Sequence, residues 1–209
     1  TVFTMARAMA VLLTDEQVHD VRERIRQVAE RQIAADGIAA LSLRSIATEL
    51  GWTAASLYRY FANKSELLDA LRVAAHNRFS DRIEAAHGST YDLWERSRAI
   101  GDAYVDFAMQ EPAAYQVMFA YEQEEGEKSD DLRAAERRSH LTLTTYVREM
   151  AEAGLLEGDP DQIAHAYWAT IHGLIVLRMA GKLDSSPGFD ALRHAAMRLI
   201  TRGARPGRS

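Results

Sequence analysis

The sequence of 209 residues contains no cysteine, which excludes disulfide bonds and thiolate chemistry and fits a protein of the reducing cytoplasm. No apolar run approaches the roughly 20 residues that a membrane-spanning helix needs. The run Ala8–Leu13 is too short, and polar Thr14–Glu16 follows it. Strand patterns and internal repeats are also missing. These absences predict an all-α protein of the cytoplasm with no membrane partner.

Patterns that would indicate catalysis are equally scarce. The sequence has neither a Ser-x-x-Lys motif nor a glycine-rich phosphate loop. His165 and His172 share one face of a predicted helix, with Asp161 four residues before His165. Ligands spread along successive turns of one helix do not converge on a single ion, however. We therefore predict that the protein is not an enzyme and has neither a metal site nor a cofactor.

The formal net charge of −5 is unevenly distributed, with a cluster of acidic residues between 122 and 131. Between Ser42 and Lys64, there are three basic residues and one acidic residue, Glu49. The charge near a binding surface affects the approach of a phosphate backbone more than the charge of the whole chain does. The segment 42–64 is thus compatible with binding to DNA in an otherwise acidic protein.

Residues 37–68 have the pattern of two short helices joined by a tight turn and followed by a third helix. Ser42 can cap the first helix, and Gly51 can end it in the left-handed conformation. Thr53 can cap the second helix, predicted over 54–61, whose outer face would be small, neutral and rich in hydroxyl groups. Such a face suits close approach to a duplex.

This segment resembles the DNA-binding helix-turn-helix of TetR-family (tetracycline-repressor-like) transcriptional regulators. The resemblance covers roughly residues 18–71 and is carried by Leu41–Ala47, Leu50–Gly51, Ser56–Phe61 and Asn63–Leu68. Two positions depart from the family pattern: Trp52 replaces a smaller aliphatic residue, and Tyr60 replaces the more frequent histidine. The resemblance implies a double-stranded DNA operator as a partner. The DNA-binding candidates are Ser42, Arg44, Thr53, Ala54, Ala55, Ser56, Tyr58, Tyr60 and Lys64.

These candidates divide by chemistry. Arg44 can contact a base edge or a phosphate, because a guanidinium can bridge guanine O6 and N7. The small side chains at 54–56 would follow methyl groups and groove shape, whereas the hydroxyl groups and Lys64 would hold phosphates. A structural role is the alternative for each residue. Ser42 could act only as a helix cap, and Arg44 could pair with Glu49.

The chain divides by pattern into four segments. Predicted helices over 15–36, 42–50, 54–61 and 64–86 form the first domain, and His87–Ser89 interrupts the pattern. Further helices are predicted at about 90–110, 113–121, 132–153, 160–181 and 189–202. The predicted segments are a flexible arm over 1–14, a DNA-binding domain over 15–87, a ligand-binding and dimerisation domain over 88–202, and a disordered tail over 203–209.

The helix over 160–181 carries Trp168, His172 and Gly173, which resemble the Trp-x-x-x-His-Gly signature of one C-terminal subclass of the same family. The resemblance implies a homodimer in which the helices over 160–181 and 189–202 pair with their copies in a four-helix bundle. The residues agree independently. The helix is apolar around most of its circumference, which one subunit is unable to cover alone.

The resemblance also implies a small-molecule effector bound within the second domain. Aromatic and methionine side chains suit an apolar or aromatic ligand, although spacing alone separates pocket from core poorly. We expect about half of the candidates to be ordinary core, and for His172 we favour hydrogen-bonded packing. The pocket candidates are Trp94, Tyr104, Phe107, Met118, Phe119, Tyr121, Tyr146, Met150, Trp168 and His172.

The predicted function is a homodimeric transcriptional repressor that leaves a near-palindromic operator when a small, largely apolar or aromatic ligand binds. A helical adaptor without ligand-controlled DNA binding is the alternative.

Overall fold

The structure is a computed structural model that describes residues 14–119, 125–183 and 188–207. These residues form α-helices and connecting turns without a β-strand, which confirms the all-α prediction. A short 3-10 turn covers Glu125–Glu127. The helices are α1 (Asp15–Asp36), α2 (Leu43–Leu50), α3 (Ala54–Leu57), α4 (Lys64–His87), α5 (Leu93–Gln110), α6 (Pro112–Phe119), α7 (Asp130–Glu152), α8 (Pro160–Met179) and α9 (Phe189–Gly203). Within the described ranges, none of them is both long and apolar enough to cross a bilayer.

Local side-chain chemistry sets most helix starts. Thr14 Oγ1 accepts a hydrogen bond from the Gln17 amide at 3.2 Å, and Gln17 Oε1 accepts one from the Thr14 amide at 2.9 Å. This reciprocal pair satisfies two amide groups that the first turn of α1 leaves without helical partners. Ser129 caps α7 through the Leu132 amide at 3.0 Å.

The chain forms two compact units, of which the first ends at Leu68. Its described part, 14–68, contains α1, α2, α3 and the first turn of α4. Arg22 connects α1 to the turn after α3 and to the first turn of α4. One guanidinium nitrogen donates to the Tyr60 carbonyl at 2.8 Å, and another donates to Glu66 at 3.2 Å. The buried apolar side chains of this unit are Ile25, Val28, Ala29, Ile33, Leu41, Leu43, Ile46, Ala47, Leu57, Phe61, Leu67 and Leu68.

The second unit runs from Asp69 and contains the rest of α4 together with α5 to α9. Phe79 of α4 packs edge-on against Tyr104 and Phe107 of α5, with ring centroids 5.2 and 5.4 Å apart. Helix α8 packs against α7 on one side and α9 on another. These contacts create the helical layer in which the candidate ligand cavities lie.

The domain boundaries differ from those predicted. The two units divide between Leu68 and Asp69, whereas the predicted boundary follows residue 87. The physical reason is that Phe79 and Ile83, at 1% and 0% exposure, are buried in the core of the second unit. The break predicted at His87–Ser89 ends α4 but does not separate the units.

The start of the segment predicted to be a disordered tail is ordered at Gly203 and Ala204. Helix α9 extends to Gly203, and Ala204 is buried. The Ala204 carbonyl accepts a hydrogen bond from the Glu157 amide at 2.7 Å, which holds this part of the chain in place. Most of the predicted arm, residues 1–13, lies outside the described residues.

Several helices also differ from their predicted bounds; α8, for example, ends at Met179 instead of 181. Helix α3 ends at Leu57 instead of 61, because the amides of Tyr60 and Phe61 both donate to the Leu57 carbonyl, at 2.9 and 3.2 Å, in a tight turn. Helix α5 starts at Leu93 instead of 90, where Asp92 caps it. Helix α7 starts at Asp130, two residues before the predicted start.

Candidate nucleic-acid interface and ligand cavities

The turn between α2 and α3 has the geometry that the sequence predicts. Gly51 takes the left-handed conformation, with φ 69° and ψ 27°, which a residue with a Cβ atom adopts only at a cost. The amide of the next residue, Trp52, donates to the Ala47 carbonyl at 2.8 Å. The chain therefore reverses sharply, and α3 begins shortly after α2 ends.

Two hydroxyl groups of the candidate interface act as helix caps. Ser42 Oγ accepts a hydrogen bond from the Ser45 amide at 3.0 Å, and Thr53 Oγ1 accepts one from the Ser56 amide at 3.2 Å. The Ser56 hydroxyl lies 2.9 Å from Thr53 Oγ1. Ser42 and Thr53 thus have a structural role that is independent of DNA, while phosphate contact by these residues stays a prediction.

Arg44 is exposed and has no ion-pair partner among the described residues. Glu49, its possible partner in the sequence, accepts hydrogen bonds from Gln32 at 2.8 Å and Arg31 at 2.9 Å. Both hydrogen bonds lower the pKa of the Glu49 carboxyl, and the one from Gln32 has the larger effect. Arg59 is likewise exposed and unpaired within the same ranges. Two guanidinium groups are therefore available to an external anion.

The remaining interface candidates have mixed environments. Tyr58 is 50% exposed, and the ring of Tyr60 lies 6.2 Å from that of Trp52. Ala55 is exposed on the single turn of α3, between half-buried Ala54 and Ser56.

The ammonium group of Lys64, predicted to contact a phosphate, has hydrogen-bond acceptors within the protein. Its ammonium group donates to the carbonyl oxygens of Ile38 at 3.1 Å and Ala39 at 3.4 Å. The residue therefore holds the turn after α1 against the start of α4. A lysine carries three N–H donors, so these two bonds leave one for another acceptor.

A cavity of about 240 Å³ lies between α4, α6, α7 and α8. Its wall is largely apolar, and three of the predicted ligand residues belong to it: Met118, Phe119 and Trp168. The cavity is slightly below the roughly 300 Å³ at which ligand pockets usually begin, so its occupant would be small. The full lining is His76, Phe79, Met118, Phe119, Glu136, Ser139, His140, Leu143, Thr144, Ala164, His165 and Trp168.

His76 supplies a buried polar group to the wall of this cavity. Its Nδ1 lies 3.0 Å from Ser139 Oγ, which in turn lies 3.1 Å from Ser80 Oγ. Its Nε2 is buried and has no hydrogen-bond partner within the described ranges. Burial lowers the pKa of His76 to about 4, against the opposing effect of the Glu136 carboxylate. The imidazole is therefore neutral near pH 7, with one ring nitrogen unused.

A second, larger cleft of about 780 Å³ lies between α5 and α9, over α7 and α8. It includes four predicted ligand residues: Trp94, Tyr104, Tyr146 and Trp168. Leu143, Ala164 and Trp168 line both the cavity and the cleft, so the two spaces share a wall.

Three of the predicted ligand residues that the structure describes line neither space. Phe107 and Met150 are buried core residues, and Tyr121 lies outside the described residues. His172 lines neither space, and its Nδ1 lies 2.6 Å from the Tyr115 hydroxyl oxygen. Burial lowers the pKa of His172, which favours the neutral acceptor form.

This hydrogen bond ends a chain of buried polar groups. Trp168 Nε1 donates to the Tyr104 hydroxyl at 3.1 Å, and the Tyr104 and Tyr115 hydroxyls lie 3.2 Å apart. Burial raises the pKa of Tyr104 to about 12 and moves that of Tyr115 further upward. Both phenols therefore remain protonated and can donate along the chain toward His172.

The cavity wall has a polar part that the predicted ligand residues, which are mainly aromatic side chains and methionines, do not include. One helix, α7, contributes much of it at helical spacing: Glu136, Ser139, His140 and Thr144. That spacing places them on one face and was visible in the sequence. What the sequence did not show is that this face borders a void.

The fold and the helix-turn-helix define the class of protein to which this chain belongs, and comparisons with known proteins give the family. Residues 25–71 match the family "Bacterial regulatory proteins, tetR family". Residues 97–201 match "Tetracyclin repressor-like, C-terminal domain". The chain belongs to the TetR family, which confirms the resemblance seen in the sequence.

Among curated proteins, an HTH-type transcriptional regulator of Mycobacterium tuberculosis is 34% identical over 106 residues, which are 48% of this chain and 45% of the relative. The chain thus spans about half the length of the curated relatives it matches. Among solved structures, a protein of unknown function from a Rhodococcus species is 29% identical, with a TM-score of 0.79 over 89% of this chain and 96% of that one.

A second solved structure, the TetR family transcriptional regulator PfmR from Thermus thermophilus, has a TM-score of 0.67. The alignment covers 88% of this chain and 100% of that chain at 22% identity, so it supports the fold alone.

His76 should make the stability of the protein depend on pH. In the unfolded chain the imidazole gains a proton near pH 6.5, whereas in the folded protein it does so only near pH 4. As the pH falls through this window the unfolded state binds more protons, so folding stability decreases. Relative to His76→Gln, the wild type should lose about 3 kcal/mol of unfolding free energy between pH 7 and pH 4.

Urea denaturation of both proteins at several pH values measures this difference. Carboxylates titrate in the same range, but they contribute equally to the two proteins and cancel. If wild type and His76→Gln lost the same unfolding free energy as the pH falls, the pKa of His76 would not be lowered in the folded protein.

Proposed function

We propose that this protein is a transcriptional regulator that binds double-stranded DNA through its helix-turn-helix. The observation that supports this function most directly is Arg44 in the first turn of α2, which is exposed and has no ion-pair partner among the described residues. An uncompensated guanidinium in an acidic protein suits a nucleic-acid phosphate or a guanine edge. A regulator of this kind acts in the cytoplasm and catalyses no reaction.

On DNA, α3 and the following turn would enter the major groove. The small side chains of Ala54, Ala55 and Ser56 allow close approach of the backbone, and Tyr58 would reach a phosphate beside the groove. Tyr60 lies in that turn, Thr53 caps α3 and Ser42 caps α2, and these residues supply further hydroxyl groups. Lys64 would assist with its remaining N–H donor while it holds the turn at Ile38 and Ala39.

A homodimer would present two such helices to successive major grooves, about 34 Å apart, on a near-palindromic operator. The proposed interface consists of α8 and α9. Exposed apolar and small side chains of these helices need a cover, and a second copy of the same helices supplies one. The exposed residues are Ala166, Ala169, Val176, Leu177 and Leu199, with half-buried Gly173 among them.

A small neutral molecule in the cavity of about 240 Å³ would regulate DNA binding. Helix α4 is continuous: its first turn belongs to the DNA-binding unit, and His76 and Phe79 further along line the cavity. A ligand that favours one position of α4 would change the spacing of the two reading helices. Release from the operator requires tighter binding to the DNA-incompetent state, typically by about 1–3 kcal/mol. Repression relieved by an effector is the mode typical of the family.

Replacement of Arg44 tests the DNA interface. Arg44→Gln should reduce discrimination between the preferred site and random duplex by about 1–3 kcal/mol if it reads a guanine. The preferred site comes from selection of random duplexes by the purified protein. Arg31→Gln is the matched control, because it removes an equal charge from the same unit at a residue paired with Glu49.

Equal losses on both DNAs would reduce Arg44 to a phosphate contact. No enrichment of any sequence, even at low salt, would contradict the proposed function and favour the helical adaptor.

A charge within the α8 surface tests the dimer. Ala169→Arg should convert the protein to monomers in analytical ultracentrifugation and weaken operator binding at least tenfold, because an arginine at a close helix contact is both bulky and desolvated. Leu141→Arg on α7, at another exposed leucine, is the control and should stay dimeric. A dimeric Ala169→Arg protein would place the interface elsewhere.

Filling the cavity tests the effector site. Molecules found in a thermal-shift screen of neutral one- and two-ring aromatics should stabilise Met118→Leu but not Met118→Trp, because only the tryptophan fills the space. At a ligand concentration of about 100 Kd the expected stabilisation is about 2.7 kcal/mol. Both variants should still bind the operator. Equal stabilisation of both would place the effector outside this cavity.

A further inference from the structure

The cleft between α5 and α9 has an architecture that the proposed function does not use. Two side chains of the α9 segment reach across to α5. Arg193 forms an ion pair with Asp102 at 2.7 Å, and the guanidinium of Arg205 lies 4.9 Å from the ring centroid of Trp94. The cleft therefore lies within the second unit and has a volume of about 780 Å³.

Its charge is opposite to that of the whole chain. The net charge of the protein is −5, yet arginines outnumber carboxylates along the cleft. The lining arginines are Arg98, Arg193, Arg198, Arg202 and Arg205, and the lining carboxylates are Asp92, Glu95 and Asp102.

The three carboxylates are already engaged. Asp92 accepts from the Glu95 amide at 2.8 Å, Glu95 accepts from the Thr90 hydroxyl at 3.1 Å, and Asp102 pairs with Arg193. Arg98, Arg198 and Arg202 have no carboxylate partner in the part of the chain that the structure describes. Other arginines of the second unit do have one, such as Arg138 with Asp81 and Glu84, and Arg148 with Asp161.

Hydrogen-bond donors remain unused deeper in the cleft. Tyr146 is 7% exposed, lines the cleft and has no hydrogen-bond partner among the described residues. Burial raises the pKa of its phenol, so the hydroxyl keeps its proton and can donate. The Nε of Arg193 is also buried without a hydrogen-bond acceptor, 3.9 Å from Asp190. The Arg193 Nε–H is a donor, and the Tyr146 hydroxyl can donate as well as accept, so a ligand with acceptor oxygens would suit both.

We propose that this cleft is a binding site for an amphipathic organic anion. The acidic group, a carboxylate or a phosphate, lies among the arginines, because guanidinium groups bind both anions through paired N–H donors. The apolar body of the ligand lies on the aromatic and aliphatic floor. The floor consists of Trp94, Ile100, Tyr104, Leu143, Ile171 and Met197.

This site is distinct from the apolar cavity in chemistry and adjoins it in space. Leu143, Ala164 and Trp168 form the shared wall, so an occupied cleft constrains one side of the cavity. The anion site rests on the cleft alone and does not depend on DNA binding. Its test therefore uses the purified protein without DNA, and it can fail while the proposed function holds.

Two fluorescent probes separate charge from apolar contact. The anionic probe is 1-anilinonaphthalene-8-sulfonate, and N-phenyl-1-naphthylamine has the same rings without the acid group. In equilibrium titrations, the double variant Arg98→Gln/Arg202→Gln should bind the anionic probe at least tenfold more weakly and the neutral probe within twofold of wild type. Raising the salt concentration should likewise weaken only the anionic probe.

Two further variants make the result specific. Arg137→Gln removes an exposed arginine of α7 that lines neither space, and it should leave both affinities unchanged. Tyr146→Phe keeps the ring but removes the donor, and it should weaken the anionic probe about threefold without affecting the neutral one. Matching melting temperatures and circular dichroism spectra establish that the variants are folded.

Displacement of the anionic probe by decanoate and by decyl phosphate then identifies the preferred acid group, and decanol should displace it poorly. Unchanged binding of the anionic probe to the double variant would overturn the proposal. So would equal losses for both probes, which would indicate apolar contact only, or an equal loss in Arg137→Gln, which would indicate general surface charge.

Discussion

Phe79 contributes the contact on which the second unit most depends. Its ring is 1% exposed and meets Tyr104 and Phe107 edge-on, so α4 is fixed against α5 by aromatic packing. The same residue borders the small cavity, and Tyr104 borders the large cleft. The cavity and the cleft therefore both lie at the edge of this aromatic cluster. The neighbouring helices do not fill the space beside the large rings.

The arginines differ in whether they have a carboxylate partner. Many arginines are held by carboxylates and stabilise contacts between helices, as Arg82 does with Glu111 and Arg96 with Glu149. Arginines without a carboxylate partner in the described ranges occur in the helix-turn-helix and along the α5–α9 cleft, and also elsewhere, as at Arg137 on α7. The chain has more carboxylates than basic side chains, so an arginine without a carboxylate partner is able to bind an external anion. The two regions are where external anions, a DNA backbone and an amphipathic acid, fit the electrostatics.

Buried polar groups give the second unit a fixed hydrogen-bond arrangement. The chain from Trp168 through Tyr104 and Tyr115 ends at His172, and burial of His172 favours its neutral form, which can accept a hydrogen bond. His76 is also neutral by burial but has an unused nitrogen beside the cavity. One histidine thus completes a network, while the other leaves a polar position available to a ligand. Residue type alone does not distinguish these roles.

The sequence by itself determined the all-helical fold, the family and most helix ends, because caps such as Ser42 and Thr53 and the stop at Gly51 act within a few residues. Tertiary structure decided what depends on distant contacts. All of α4 after its first turn belongs to the second unit, in which Phe79 is buried, and the Lys64 ammonium group donates to the carbonyls of Ile38 and Ala39. On α7, Met150 is core while Thr144 borders a cavity. Helical periodicity places residues on a face, but only the packing of several helices determines whether that face meets another side chain or a void.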